Sequence, residues 1–243
     1  MTDRLLSSVA EEALDGIRVI FTDGVEKVEQ AGREHRANGY EHFMVDVPEG
    51  ARGSWCVEHY TITPEEETLQ KIRCAFNPQR DARFVPAGIY TRLCRNGAVI
   101  MSDTPDEIRD HMKPIRRACG DCLVNGLGLG VVVGAMLAKE EVRHVTAVEY
   151  SEDVIALVAP HYQERYGDRL TVVHADALTW KAPKGMQFCV VWSDIWDDIS
   201  AGNLPEMTKL KRRYGRRSVW QGCWQEDGCR AQQRRVKSGR GWY

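Results

Sequence analysis

Four short stretches of this 243-residue chain carry side chains that could be pooled for chemistry. The first is the turn Asn125-Gly126-Leu127-Gly128-Leu129-Gly130, where missing Cβ atoms would let a ligand reach the backbone and positive φ is tolerated. The second is Glu149, with Tyr150 beside it, about 20 residues past the glycines, where a carboxylate can accept hydrogen bonds from both hydroxyls of a ribose. The third is Asp176-Ala177, an acid that could accept from an adenine amino group next to a residue small enough to leave room for the ring. The fourth is Trp192 to Asp198 (WSDIWDD): Asp194 could orient an amine and take its proton, and Asp197 could hold a second cationic group. Trp192 and Trp196 could wall off a cation with their π-faces, or be ordinary core. Taken singly, each carboxylate could be no more than a turn or helix cap.

These stretches must be positioned by regular elements, and the pattern supplies them. Cys122 to Glu149 reads as strand, glycine turn, apolar helix and second strand, a βαβ unit. A helix over Ser151–Tyr166 follows, then a third strand at Arg169–His174 and a fourth at Gln187–Trp192, apolar enough to be buried on both faces. Leu204–Tyr214 reads as a helix and Ser218–Gln221 as a short fifth strand. Alternation at this spacing predicts an α/β fold, a Rossmann-like, doubly wound, mostly parallel sheet whose ligands sit beyond the carboxyl ends of the strands. All four chemical stretches fall at such ends. The spacing G-x-G-x-G differs from the G-x-G-x-x-G of dinucleotide enzymes, whose helix N-terminus holds a pyrophosphate. A nicotinamide dehydrogenase is readable from the turn and Glu149 alone; Asp176-Ala177 and the acid-rich fourth strand end argue against it.

Ahead of this unit the period changes twice. Residues 1–39 read as a helical segment in two pieces, Leu5–Ile20 and Val25–Ala37. Residues 40–103 read as a small strand and hairpin region: Phe43, Val45 and Val47 alternate as in a strand, Trp55–Thr63 is rich in β-branched and aromatic residues, and Thr63-Pro64-Glu65-Glu66 starts a helix. A polar loop follows at 77–83. Ile89–Cys94 and Ala98–Met101 flank Arg95-Asn96-Gly97, a strong hairpin signal. Ser102 to Glu107 then opens a helix toward Ala118, which leads into a core over 104–222 and a basic tail over 223–243.

Composition bounds the rest. With 43% hydrophobic residues and net charge -2, the chain can bury one large core. Its first residues carry acids and no apolar core, so no signal peptide is expected, and Leu127–Ala138 is too short to span a bilayer; the expectation is a cytoplasmic protein without membrane contact. Eight scattered cysteines argue against a disulfide framework, and Cys119, Cys122, Cys223 and Cys229 are too widely spaced for a zinc knuckle, so no metal is expected. Lys211, Arg212, Arg213, Arg216 and Arg217, then Arg230, Arg234, Arg235, Lys237 and Arg240, interleave with Trp220, Trp224 and Trp242. Such a stretch suits nucleic-acid contact, or is a set of solvated helix faces. Homo-oligomerisation stays open.

The motifs VNGLGLG, AVEY, HADAL and VWSDIWDD, in that order, make Cys122–Asp198 resemble the core of class I S-adenosylmethionine-dependent methyltransferases. The hairpin and helix directly before it make 87–221 more similar to the spermidine synthase branch of that superfamily. The resemblance implies the class I methyltransferase fold, S-adenosyl-L-methionine or its decarboxylated form as cofactor, and a pocket lined by Gly126, Gly128, Glu149, Asp176 and Asp194, with Asn125, Leu127, Gly130, Tyr150 and Ala177 in the same motifs. Departures are visible. Asp194 and Asp197 give the D-x-x-D of aminopropyltransferases, but Asp198 stands where they carry proline. Asp106-Glu107-Ile108-Arg109-Asp110-His111-Met112 lacks the tyrosine and second glutamate of their D-E-x-x-Y-H-E, and no N-P-P-Y ends the fourth strand. The expected activity is methyl transfer, an in-line displacement at a carbon on sulfonium that depends on alignment; the sequence does not identify the acceptor, though the acids and aromatics after the fourth strand suit a small cationic or planar one. Aminopropyl transfer, or a binding module contacting nucleic acid through its tail, are the alternatives.

Overall fold

The computed structural model describes residues 39–75 and 85–238. The two helices expected within 1–39, the loop at 77–83, Arg240 and Trp242 lie outside the described residues. In chain order the described elements are β1 (Gly50–Arg52), β2 (Trp55–Ile62), α1 (Pro64–Ala75), β3 (Gly88–Arg95), β4 (Ala98–Ser102), α2 (Pro105–Arg117), β5 (Gly120–Asn125), α3 (Val131–Leu137), β6 (Val142–Glu149), α4 (Glu152–Tyr166), β7 (Leu170–His174), β8 (Phe188–Ser193), α5 (Leu204–Tyr214), β9 (Ser218–Cys223) and α6 (Glu226–Lys237). Contacts divide them into two units. One comprises the described parts of 1–42, 60–90 and 104–106; the other comprises 43–59, 91–103 and 107 onward.

In the first unit α1 is set by its own cap. Thr63 Oγ1 accepts from Glu66 N (3.2 Å) while the Glu66 carboxylate accepts from Thr63 N (2.8 Å), a reciprocal pair that satisfies two otherwise unpaired donors.

The second unit holds the parallel sheet, in the order β7-β6-β5-β8-β9, every neighbouring pair parallel. Cys122 to Asn125 of β5 and Val190 to Ser193 of β8 are buried without alternation, as central parallel strands covered on both faces must be. The order reverses between β5 and β8. Right-handed crossovers therefore send α3 and α4 to one face and α5 to the other, opening a crevice at the reversal. This is the Rossmann-like doubly wound sheet that the alternation predicts. The antiparallel sheet β1-β2-β3-β4 contributes the β3–β4 hairpin, whose turn residues Asn96 and Gly97 have φ 52° and 78°, as Asn-Gly turns require.

Two expectations are corrected, and one open point is filled. The strand expected at Phe43–Val47 does not form; Tyr40–Phe43 is a short 3-10 turn. Its peptide groups are taken by side chains instead, Asp103 accepting from Val45 N (3.0 Å) and Thr91 Oγ1 donating to Val45 O (3.1 Å), and Pro48 has no N–H for a ladder. One disulfide is present, Cys119–Cys189, because the parallel pairing of β5 with β8 (Cys122 opposite Val190) brings their starts to a Cα separation of 5.7 Å across 70 residues of sequence. The basic tail is folded at least to Lys237: β9 runs two residues further than expected and α6 follows.

Several cations of the basic stretch ahead of the tail are used internally. Arg213 donates to the carbonyls of Ala177, Leu178 and Trp180, Arg217 to those of Ala182, Pro183 and Met186, and Lys211 pairs with Glu226 at 2.9 Å. No described helix is long and apolar enough to cross a membrane.

Candidate active site

A cavity of about 400 Å³ opens at the carboxyl ends of the strands, lined by Gly126, Leu127, Gly128, Glu149, Tyr150, Asp176, Ala177, Trp192, Asp194, Trp196 and Asp197. The volume lies within the roughly 300–1,000 Å³ of small-molecule sites. Four strand ends thus converge as the sequence motifs require. Asn125 and Gly130 do not line the cavity. Asn125 is fully buried, its Nδ2 donating to Ser193 Oγ (2.9 Å) and its carbonyl accepting from Asp194 N (2.8 Å), so it locks the ends of β5 and β8 together. Gly130 begins α3 against the Tyr162 ring.

The two inner glycines are set by the protein's own packing. Gly126 has φ 96°, and a Cβ there would sit 1.9 Å from the Asp194 carbonyl oxygen. Gly128 has φ 51°, and its Cβ would sit 2.2 Å from Met101 Sδ, which also accepts from Leu129 N at 3.1 Å. The hairpin therefore closes over the turn.

Glu149 is fixed at the end of β6, Oε2 accepting from Leu127 N and Oε1 from Ser151 N, each at 2.8 Å. Each carboxylate oxygen has two lone pairs, so both can still accept from a vicinal diol. Tyr150 is 75% exposed at the rim. Asp176 follows β7, its Oδ1 accepting from Leu178 N (2.7 Å), and Ala177 is buried beside it.

The acid end of the cavity is built around Asp194 and His111. His111 Nε2 stands 3.7 Å from Asp194 Oδ2, too far for a hydrogen bond. Burial, then the nearby Glu107 and Asp110 charges, push the Asp194 carboxyl up to about 7; burial pushes His111 down to about 4, with Asp110 opposing. Near neutral pH the imidazole is uncharged and Asp194 divides between acid and carboxylate. His111 Nδ1 is buried with no hydrogen-bond partner among the described residues. Glu107, also on the wall, accepts from Ser102 N (2.6 Å) and Ser102 Oγ (2.9 Å), and burial raises its carboxyl too.

Trp192 meets His111 edge-on, ring centroids 6.0 Å apart, and Trp196 is held by its Nε1 donating to Glu206 (2.8 Å). Both line the cavity, together with Trp55 and Trp224. Asp197 is paired with Arg95, whose guanidinium lies 5.2 Å over the Trp55 ring. The second cation expected at Asp197 is thus supplied by the chain.

Sequence reasoning missed Glu107, His111, Trp55, Arg95, Met101 and Trp224. Glu107 and His111 had a signal in the heptad before the core, which keeps the glutamate and histidine of D-E-x-x-Y-H-E. The others reach the cavity from separate elements, and spacing carries no trace of that.

No protein-family model matches this chain, and no curated protein does. Among solved structures it is similar to a dimethyladenosine transferase from Plasmodium falciparum (19% identity over 44% of this chain and 37% of that one, TM-score 0.36). It is also similar to the CcbJ methyltransferase from Streptomyces caelestis (16%, over 45% of each, TM-score 0.36) and to the 23S rRNA methyltransferase ErmE (19%, over 42% and 38%, TM-score 0.34). In each case the likeness spans less than half of either chain.

Proposed function

We propose that this chain is an S-adenosylmethionine-dependent methyltransferase whose acceptor is a small amine, delivered to Asp194. The observation that carries the reading is the Glu149 carboxylate, held at two points and lining one cavity with the glycine turn, Asp176 and Asp194. The residues fit the cofactor: a fixed acid suits a ribose diol, and Asp176 beside buried Ala177 suits an adenine edge and ring. Bound S-adenosylmethionine would supply an activated methyl group on a sulfonium.

The chain's own contribution is alignment and proton removal. Trp192 and the other cavity tryptophans exclude water and give a cationic amine π-faces. Asp194 in its carboxylate form accepts the proton that the amine loses, and neutral His111 beside it adds no competing positive charge. Arg95 on Asp197 fills the place a second ammonium would take, which speaks against a diamine acceptor and hence against aminopropyl transfer.

Incubation with methyl-labelled S-adenosylmethionine and a panel of primary and secondary amines tests the reading. Label transfer by the native chain, reduced about 100-fold or more in Asp194→Asn with cofactor affinity retained, is expected of a general base. Equal turnover in the variant would contradict the assigned role.

A further inference from the structure

The strands that wall the cavity carry a second constellation on their other face. Trp55, Leu93 and Arg95 point to the cavity, so the alternation of β2 and β3 turns Cys56, Glu58, Arg92 and Cys94 the other way. Cys56 Sγ lies 3.5 Å from Glu58 Oε1, Cys94 Sγ lies 3.8 Å from Glu58 Oε2, and one ligand atom from each of the three residues lies within 4.8 Å of the others. In a tetrahedral zinc site, bonds of about 2.3 Å to sulfur and 2.0–2.2 Å to oxygen set sulfur–sulfur edges near 3.8 Å and sulfur–oxygen edges near 3.5 Å. One ligand atom from each residue, all within 4.8 Å of one another, thus lies no more than about 1.3 Å beyond the edges that such a tetrahedron needs.

The surroundings favour a cation. Arg92 holds Glu58 at 2.8 Å and, as the leading cause, keeps its carboxyl below the ordinary range, so the carboxylate is ionised and oriented. Two thiolates and one carboxylate carry three negative charges, which a divalent cation and the Arg92 guanidinium cancel. Sulfur in the donor set selects zinc-class ions over magnesium or calcium. Among the described residues this is the one group of His, Cys, Asp and Glu close enough to hold a metal; Cys122, Cys223 and Cys229 are buried outside it.

We propose that Cys56, Glu58 and Cys94 bind one zinc-class divalent cation, completed by a water molecule, which clips β2 to β3 behind the cavity wall. Binding converts two thiols to metal-bound thiolates and releases two protons to solvent, with no change of oxidation state. Desolvation foremost, then Glu58, raises the Cys56 thiol above its usual range, so affinity climbs with pH as those protons become easier to lose. The proposal is independent of the methyltransferase reading.

The test is titration of the full-length, reduced, metal-stripped protein with Co²⁺, read by absorption. One equivalent should give thiolate-to-cobalt charge-transfer bands and tetrahedral ligand-field bands, both abolished by excess Zn²⁺. Cys56→Ser and Cys94→Ser should each remove charge-transfer intensity and weaken binding at least tenfold, while Cys229→Ser leaves it unchanged. Arg92→Ala, which keeps every ligand, should weaken binding about 10- to 100-fold with an unaltered circular dichroism spectrum. No charge-transfer absorption at one equivalent, or bands that survive in Cys56→Ser and Cys94→Ser, would overturn the site.

Discussion

Asp194 makes the sharpest single-residue prediction because its carboxyl is raised to about 7. As the base it must be ionised, so kcat/KM should climb with pH and level off above about 7, and a flat profile between pH 5.5 and 8.5 would remove it from that role. The same shift has the opposite effect on stability. An acid whose folded pKa exceeds its unfolded value stabilises the fold fully below the unfolded pKa, and that contribution is lost as pH rises toward 7. Asp194→Asn should therefore be more stable than the native chain at pH 8, by on the order of 1–3 kcal/mol, with the difference shrinking as pH falls and vanishing below about pH 4, in denaturant melts. His111, lowered to about 4, contributes stability that is complete above about 6.5 and fades as pH falls through 4. The carboxylates were legible in the sequence because strand ends and motif order announce them. The raised carboxyl of Asp194 was not, because it depends on burial and on the charges of Glu107 and Asp110, which arrive from α2.

Among the elements, the glycine turn and the β3–β4 hairpin act as a pair. Gly126 faces the Asp194 backbone, which cannot yield, whereas Gly128 faces the end of the Met101 side chain, which can. Gly126→Ala is expected to cost several kcal/mol or to prevent folding. Gly128→Ala should cost about 1–3 kcal/mol, mostly backbone strain, and Met101→Ala should recover part of it. Equal losses in the two glycine variants, measured by urea unfolding, would mean that the contact with Asp194 is not the reason Gly126 must be glycine. The sequence announced the turn, the hairpin and a mostly parallel sheet, since each follows from local spacing, whereas the order of the strands did not. It misled at Val45, because the side chains that take that residue's peptide groups lie 46 and 58 residues away.

At the scale of the whole molecule, the Cys119–Cys189 bond closes a loop of 70 residues that contains β5, β6 and β7 and ends in β8. Chain entropy gives such a link up to about 4 kcal/mol, so the Cys119→Ser/Cys189→Ser variant should unfold at clearly lower denaturant, and an unchanged midpoint would show the link to be idle. Nothing in the spacing of the cysteines marks this pair; only the parallel register of β5 with β8 does. The basic stretch shows the converse, a conspicuous sequence feature whose Arg213 and Arg217 cap carbonyls of the loop between β7 and β8. The proposed function requires one adenosine-cofactor cavity with Glu149 and Asp176 as its two anchors. Calorimetric titration with S-adenosylmethionine, its decarboxylated form and NAD tests this most directly. The prediction is one-to-one binding that prefers S-adenosylmethionine and loses about 1.5–3 kcal/mol in each of Glu149→Ala and Asp176→Ala. Preference for either other compound, or binding that both variants leave intact, would contradict it.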